Sequence, residues 1–257
     1  MYNEWDVTLP ALTGEEPRRA YVYVPDKSLA RPEQRYPVLY MFDGQNLFAD
    51  ADASFGKSWG ILEYAAAHDL PLIVAAIECN HHPEDDPCGG RLSEYSPFDF
   101  SSPRLGSIKG RGRLTMDYYV NEFKPYIDEN YPTLPDRAHT FIAGSSMGGL
   151  MTLYALMAYN RVFSRGAALS PSLAFDAGAV AEMIRSASIG KTVLYMDMGS
   201  REMRSAWAKG VYADTAAALI RKGVLLESRI VPGGIHSEVS WEQQIPFFMD
   251  VLFYNLT

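Results

Sequence analysis

The residues best suited to covalent chemistry lie at 144–148, Gly-Ser-Ser-Met-Gly, which fit the pattern Gly-x-Ser-x-Gly around Ser146. A strand-like segment at 139–143 comes before the pattern and a helix-like segment at 147–159 follows it. This context is typical of a nucleophile elbow, a turn so sharp that small residues are needed two places on either side of the serine. The pattern therefore predicts that Ser146 is a nucleophile. A glycine-rich turn selected for packing or for phosphate binding is the alternative.

A serine hydroxyl is a weak nucleophile at neutral pH, so the chain must also supply a general base. Of five histidines, only His236 follows Ser146, as the chain order serine, acid, histidine requires. His236 lies on a glycine-bearing loop after a strand-like segment at 226–231, and catalytic residues of open α/β sheets gather at such carboxyl ends. We therefore predict that His236 is the base; a solvated loop histidine is the alternative.

Two acidic residues near the end of a strand-like segment at 192–196 could orient His236. Asp197 ends that strand, where its side chain can point into the flank of the sheet. Glu202 lies on the following loop and has more freedom to reach the imidazole. We predict that Glu202 is the acid and keep Asp197 as the alternative.

A sheet must hold these loops, and apolar runs bounded by Pro, Gly or Asp predict its strands. The run at 38–42, Val-Leu-Tyr-Met-Phe, is apolar throughout, which favours a parallel sheet buried on both faces. The first 35 residues lack a helical pattern and predict antiparallel strands at one edge. The strand-like segments are 20–24, 37–42, 70–77, 139–143, 166–169, 192–196 and 226–231.

Helix-like segments alternate with these strands, as expected for right-handed β-α-β units. Pro125 should kink or divide the segment at 116–130, because proline lacks a backbone donor. Gly223 should end the segment at 204–222. The apolar stripe of that segment consists of Trp207, Val211, Ala218 and Leu219. The helix-like segments are 58–68, 116–130, 147–159, 177–186, 204–222 and 241–252.

Composition and charge limit the classes of function. With 257 residues, 47% of them hydrophobic, the chain can bury one substantial core, so we expect a single domain over 1–257. The net charge of −8 argues against nucleic-acid and membrane partners and leaves small molecules. No apolar run approaches the ~20 residues that cross a bilayer, and residues 1–9 do not resemble a signal peptide, so we expect a cytoplasmic protein. The two cysteines, Cys79 and Cys88, suit a reducing compartment, with one disulfide between them as the alternative.

Five motifs carry a resemblance to a known family: 39–48 (LYMFDGQNLF), 91–97 (RLSEYSP), 144–149 (GSSMGG), 198–202 (MGSRE), and 236–238 (HSE) followed by Trp241. Together they resemble the Putative esterase family, which includes enterochelin esterases, feruloyl and acetylxylan esterases, esterase D relatives and the antigen 85 mycolyltransferases. The resemblance extends from about Val7 to Phe253. It implies an α/β-hydrolase fold with a mostly parallel central sheet flanked by helices on both faces. It also implies a serine carboxylic-ester hydrolase that acts through an acyl-enzyme on acylated carbohydrate or similar small esters, without a cofactor.

The resemblance assigns further roles. In the family, one oxyanion-hole amide comes from the Asp-Gly segment after an early buried strand and the other from the residue after the nucleophile. These are the backbone N–H groups of Gln45 and Met147. The family's Gly-Ser/Thr-x-acid pattern falls on 199–202 and supports Glu202 as the acid. Trp59 resembles a packing residue beside the site.

Residues 80–113 depart most from the family and are long for one β-α connection, so we expect a lid-like insertion. Arg91, Tyr95 and Arg111 are the candidates for substrate contacts. The insertion carries a basic cluster that could hold a polar or anionic substrate group, beside aromatic rings that could pack on an acyl or sugar ring. Solvated or paired surface charges are the alternative. The basic cluster is Arg104, Lys109, Arg111 and Arg113.

Three other functions fit parts of the sequence. An acyltransferase would use the same triad with an acceptor other than water. A metal site could form at 81–88, which contains two histidines, three acidic residues and a cysteine. Its spacing matches no known zinc pattern, and we expect no metal. A non-catalytic binding protein would retain only the fold.

Overall fold

The structure is a computed structural model that describes residues 1–26, 28, 33–82 and 86–256. Ten strands occur within these residues. They are β1 (Tyr2–Thr8), β2 (Pro17–Tyr23), β3 (Val38–Met41), β4 (Ile73–Ile77), β5 (Phe100–Ser102), β6 (Gly106–Ile108), β7 (Thr140–Ser145), β8 (Arg165–Leu169), β9 (Val193–Gly199) and β10 (Leu225–Val231).

Eight of these strands form one sheet with the order β1-β2-β4-β3-β7-β8-β9-β10. The six strands from β4 to β10 in this order are parallel, and β1 and β2 run antiparallel at one edge. The predicted strands and the mostly parallel sheet are therefore confirmed. The chain order reverses between β3 and β7, so the carboxyl ends of these neighbours border the crevice in which open α/β sheets bind ligands.

Helices alternate with the parallel strands and complete the α/β architecture. They are α1 (Pro10–Thr13), α2 (Ile61–His68), α3 (Arg91–Glu94), α4 (Gly112–Tyr118), α5 (Lys124–Asn130), α6 (Met147–Ala158), α7 (Ala177–Ser186), α8 (Ala206–Lys222), α9 (Glu238–Glu242) and α10 (Ile245–Phe253).

Strand β3 shows why the sheet needs helices on both faces. Its four residues are at most 1% exposed. Val38 and Tyr40 pack in one apolar cluster, which includes α6, whereas Leu39 and Met41 pack in a second cluster, which includes α10. Successive side chains of a strand point to opposite faces. A strand that is apolar at every position therefore requires cover on both sides, as the sequence indicated.

The predicted helix at 116–130 is divided, as Pro125 led us to expect. Helices α4 and α5 are separated by a π-helical turn, Tyr119–Phe123, and Pro125 is the second residue of α5. Proline cannot donate the backbone hydrogen bond that would continue the α-helical series, and a π turn accommodates that interruption.

The apolar stripe predicted for α8 is wrong at Trp207, whose exposed fraction is 60%. The buried residues of α8 are Tyr212, Thr215 and Leu219. At 100° per residue, Trp207 lies about 140° around the helix axis from Tyr212, so it faces solvent. Gly223 ends the helix with φ of 92°, a left-handed conformation that favours glycine.

The insertion at 80–113 contains α3 and the hairpin of β5 and β6. Cys79 is buried, Cys88 is exposed, and both thiols are free, so the alternative of a disulfide is wrong. No helix in the described part of the chain is long and apolar enough to span a membrane.

Candidate active site

Ser146 lies in a strained turn between β7 and α6. Its φ of 57° and ψ of −119° are unusual for a residue with a side chain. The glycines on either side make this turn sterically feasible. A Cβ atom on Gly144 would lie 2.7 Å from the carbonyl carbon of Gly148, and one on Gly148 would lie 3.1 Å from Cβ of Phe42. The local geometry is that of a nucleophile elbow.

Loops after three strands bring together the three residues predicted as a triad. Ser146 Oγ follows β7 and lies 2.8 Å from Nε2 of His236, which follows β10. His236 Nδ1 lies 2.5 Å from Oε2 of Glu202, which follows β9. With Nδ1 protonated, the imidazole donates to Glu202 and its Nε2 can accept the serine proton.

The second carboxylate oxygen of Glu202 is also held in place. Oε1 accepts hydrogen bonds from the Ser170 hydroxyl at 2.7 Å and from the Gly199 amide at 3.0 Å. Trp241 Nε1 donates in turn to Ser170 Oγ at 3.1 Å. Burial opposes ionisation of Glu202, but hydrogen bonds from His236 and Ser170 and the charge on His236 keep its pKa below the ordinary value. Glu202 can therefore stay ionised beside the imidazole.

The alternative acid, Asp197, is directed to other partners. Its Oδ1 accepts the Ser170 amide at 3.0 Å and its Oδ2 accepts the Tyr195 hydroxyl at 3.0 Å. Burial raises the pKa of Asp197 to about 6, although these two hydrogen bonds oppose the shift. Asp197 thus anchors Ser170, which has an unusual φ of 41° and bonds to Glu202.

The amides of Gln45 and Met147 lie after neighbouring strands, as an oxyanion hole requires. Gln45 is in a 3₁₀ turn, Gly44–Asn46, after β3, and Met147 is the first residue of α6. Among the described residues, neither amide donates to another backbone carbonyl outside regular secondary structure. First-turn amides of a helix lack an intrahelical acceptor, so Met147 N–H is available to a ligand.

Two side chains from the insertion hold Asp43, the residue before this turn. Arg91 donates from Nε to Oδ1 at 2.6 Å and from Nη2 to Oδ2 at 2.7 Å. The Asp43 amide donates to the Tyr95 hydroxyl at 3.1 Å, and Asp43 itself has φ of 58°. Tyr95 is 1% exposed and does not line the cavity, so the expectation of a direct substrate contact is wrong for this residue. Its hydroxyl is used to support the turn.

Arg111 does not reach the cavity either, which corrects a second expected substrate contact. It donates from Nη1 to the Leu12 carbonyl at 3.0 Å and from Nη2 to the Ala11 carbonyl at 2.5 Å. These bonds connect the insertion to α1, and they leave the Arg111 guanidinium engaged with the two carbonyls.

The rest of the basic cluster also lies away from the cavity. Arg104 and Lys109 are exposed, and Arg113 pairs with Asp117 at 3.5 Å. Phe100, one of the aromatic residues of the insertion, is buried, and its ring centroid lies 4.6 Å from that of Phe175. The hairpin of β5 and β6 therefore packs on the body of the protein.

A cavity of about 620 Å³ opens in front of Ser146. Its wall includes residues for which the sequence predicted no role at the site. Ser54 and Phe55 come from the segment before α2, and Ser237 and Glu238 follow His236. The insertion contributes His81, Cys88 and Arg91, so Arg91 is the one expected substrate contact that the structure places at the cavity. Two sequence signals could have pointed to further site residues. Glu238 lies two residues after His236, and Ser170 directly follows β8, at the carboxyl edge of the sheet where site residues gather.

Trp59 is buried and packs against Trp241, with ring centroids 6.0 Å apart. The segment at 81–88, considered as an alternative metal site, is partly outside the described residues, because it includes Glu84 and Asp85. Within the described residues, no group of three or more potential ligands could hold a metal ion. His81 pairs with Glu78 at 3.2 Å, and His82 pairs with Glu16.

Comparisons with known proteins agree with this architecture. A family model described as "Putative esterase" matches residues 12–248. The uncharacterized protein YbbA of Bacillus subtilis (strain 168) is 29% identical over 191 residues, which are 73% of this chain and 70% of that protein.

Solved structures that share the fold include two hydrolases. The siderophore hydrolase EstA from Aspergillus nidulans has a TM-score of 0.73 at 18% identity, with 97% of this chain and 94% of that chain covered. An IroE-like serine hydrolase from Shewanella oneidensis has a TM-score of 0.72 at 19% identity, with coverage of 100% and 80%.

Proposed function

Because the chain belongs to the Putative esterase family, we propose that it is a serine esterase that cleaves small carboxylic esters through an acyl-enzyme. The observation that carries the proposal is the continuous series of hydrogen bonds from Ser146 through His236 to Glu202. This series meets the geometric requirement for a nucleophile, a base and an orienting acid.

In the proposed reaction, Ser146 Oγ attacks the ester carbonyl while His236 Nε2 accepts its proton. The amides of Gln45 and Met147 stabilise the tetrahedral oxyanion. His236 then gives the proton to the departing alcohol, which leaves the acyl group on Ser146. Water attacks this acyl-enzyme by the same steps, and the acid product leaves. Glu202 keeps the imidazole in the required tautomer and stabilises the imidazolium.

A small organic ester is the substrate class that the cavity supports. Its volume of about 620 Å³ falls in the range typical of small-molecule pockets. The family to which the chain belongs, and the siderophore hydrolase and serine hydrolase that share its fold, are consistent with ester cleavage. Acylated carbohydrates or similar small esters fit the same chemistry.

The test combines active-site labelling with a substrate screen. We expect a fluorophosphonate to label the purified protein at one site per chain, on Ser146, and to abolish hydrolysis of acetyl, butyryl, feruloyl and sugar-linked esters. Activity should be the same in the presence of a chelator. Activity without labelling at Ser146 would contradict the proposed mechanism. Product analysis with added alcohols distinguishes hydrolysis from acyl transfer, which would yield a new ester.

A further inference from the structure

Glu238 is a buried carboxylate on the wall of the cavity that the proposed mechanism does not use. It begins α9, two residues after His236, and its exposed fraction is 6%. It lines the same cavity as Ser146 and His236. Within the described part of the chain, no Arg, Lys or His side chain forms an ion pair with it.

The basic side chains that act electrostatically on Glu238 are already paired with other carboxylates. Arg91 binds both carboxylate oxygens of Asp43, and His236 bonds to Glu202. Burial raises the pKa of Glu238, and the charge of Asp43 acts in the same direction, whereas its own backbone amide, His236 and Arg91 oppose the shift. A desolvated carboxylate without a counter-charge is unfavourable unless a donor compensates it.

Glu238 is the main charged group of the cavity whose charge is not balanced by a partner. Arg91 is neutralised by Asp43, and His81 is paired with Glu78. The aromatic rings of Phe55 and Trp241 supply apolar surface to the same cavity. An anionic substrate group would therefore meet like charge, whereas a hydroxyl or ammonium group would find an acceptor.

On the basis of the proposed esterase function, we infer that Glu238 forms a substrate subsite for a hydrogen-bond-donating group without negative charge, adjacent to the scissile ester. Substrates with a hydroxyl or an ammonium group at this place gain a charge-assisted hydrogen bond. Substrates with a carboxylate there are rejected, because two desolvated anions would face each other. This selectivity is opposite to that expected from the basic cluster of the insertion.

The test uses two ester series that differ only in one para substituent: methyl, hydroxymethyl, aminomethyl or carboxylate. One series consists of phenyl acetates, with the substituent on the alcohol side. The other consists of methyl phenylacetates, with the substituent on the acyl side. For each variant, kcat/KM is divided by the value for the methyl member, which cancels changes common to all substrates.

In at least one series, Glu238→Gln should lower the ammonium-to-methyl ratio about 10- to 100-fold and raise the carboxylate-to-methyl ratio by about tenfold or more. The hydroxyl-to-methyl ratio should change less, because the glutamine carbonyl still accepts a hydrogen bond. Glu238→Asp keeps the charge and should retain the substrate order of the parent. The three ratios thus distinguish a hydroxyl ligand from an ammonium ligand.

Glu242→Gln is the matched control. Glu242 lies on the same helix but pairs with Lys57 at 3.0 Å and does not line the cavity. It should leave all ratios as in the parent. Equal ratios in Glu238→Gln and the parent for both series would overturn the subsite. Fluorophosphonate labelling of Ser146 in each variant keeps this outcome distinct from failure of the esterase proposal.

Discussion

His236 Nδ1 lies 2.5 Å from Glu202 Oε2, although 34 residues separate them in the chain. The contact forms because β9 and β10 are parallel neighbours, so the loops after them meet at one edge of the sheet. The other oxygen of Glu202 is bound by Ser170, which follows β8. Three consecutive loops therefore determine where the imidazole stands relative to Ser146.

Replacing the proposed nucleophile should remove activity without unfolding the protein. Ser146→Ala should reduce kcat by at least about 10³-fold, because alanine fits the turn but cannot attack. Ester hydrolysis and a thermal unfolding curve measure the two effects. Ser145→Ala is the control, since Ser145 belongs to β7 and makes none of the triad contacts, and only a modest loss is expected. More than a few per cent residual activity in Ser146→Ala would reject Ser146 as the nucleophile.

The two candidate acids should differ strongly in their effect on catalysis. Glu202→Gln should lower kcat on the order of 10⁴-fold, because the amide cannot hold His236 in the required tautomer as the carboxylate does. Asp197→Asn should lower it far less, since Asp197 acts through Ser170. Steady-state kinetics of both variants provide the comparison. A larger loss for Asp197→Asn would reverse the assignment.

The hydroxyl of Tyr95 should affect catalysis through the turn that contains Gln45. Tyr95→Phe leaves the Asp43 amide without its acceptor, so we expect kcat to fall about tenfold while KM changes little, since Tyr95 does not line the cavity. Tyr36→Phe is the matched control. The Tyr36 hydroxyl is buried and has no hydrogen-bond partner among the described residues, so its removal should leave kcat as in the parent. Equal effects of both variants would contradict a positioning role for Tyr95.

Burial of Asp197 should make stability depend on pH in a defined window. Its pKa is about 6 in the folded protein and 3.8 ordinarily, so between these values the folded state holds a proton that the unfolded state releases. Asp197 therefore destabilises the fold increasingly as pH rises from about 4 to 6, by on the order of 3 kcal/mol in total.

The Asp197→Asn variant tests this, because asparagine carries no charge at any of these pH values. The Tyr195 hydroxyl can donate to Gln244 Oε1, at 3.2 Å, and accept from the new amide. Denaturant unfolding of both proteins at pH 4 and pH 7 should show that the variant gains stability relative to the parent at the higher pH. A difference that is constant with pH would refute the raised pKa.

Neutralising the basic cluster should not alter substrate preference. Arg104→Gln, Lys109→Gln and Arg113→Gln should hydrolyse neutral and carboxylate-bearing esters at the parental ratio, since these side chains lie away from the cavity. Arg111→Gln should lose about 1–3 kcal/mol of unfolding free energy, because it removes charge-assisted bonds to Leu12 and Ala11. If any of the four variants changed the ratio between hydrolysis of neutral and carboxylate-bearing esters, the basic cluster would contribute to substrate specificity after all.

The sequence alone determined the features that depend on local spacing. The nucleophile turn was predictable because so sharp a bend needs small residues two places on either side of Ser146. A Cβ atom on Gly144, for example, would collide with Gly148 within the same turn. The strand β3 was predictable because a short run that is apolar at every position is best buried as a strand with cover on both faces. The order of Ser146 and His236 along a β-α alternation is sufficient to predict that both lie at the same edge of the sheet.

Only the tertiary structure decided which distant side chains meet. Glu202 and Asp197 lie five positions apart, and the sequence could favour one without showing that Asp197 turns to Ser170 and Tyr195. Likewise, Arg111 and Glu238 are both charged residues near predicted loops. Arg111 donates hydrogen bonds to carbonyls of α1, whereas Glu238 is buried on the cavity wall without a counter-charge. Such outcomes depend on how elements distant in the chain pack, and that packing is not encoded in the spacing of neighbouring residues.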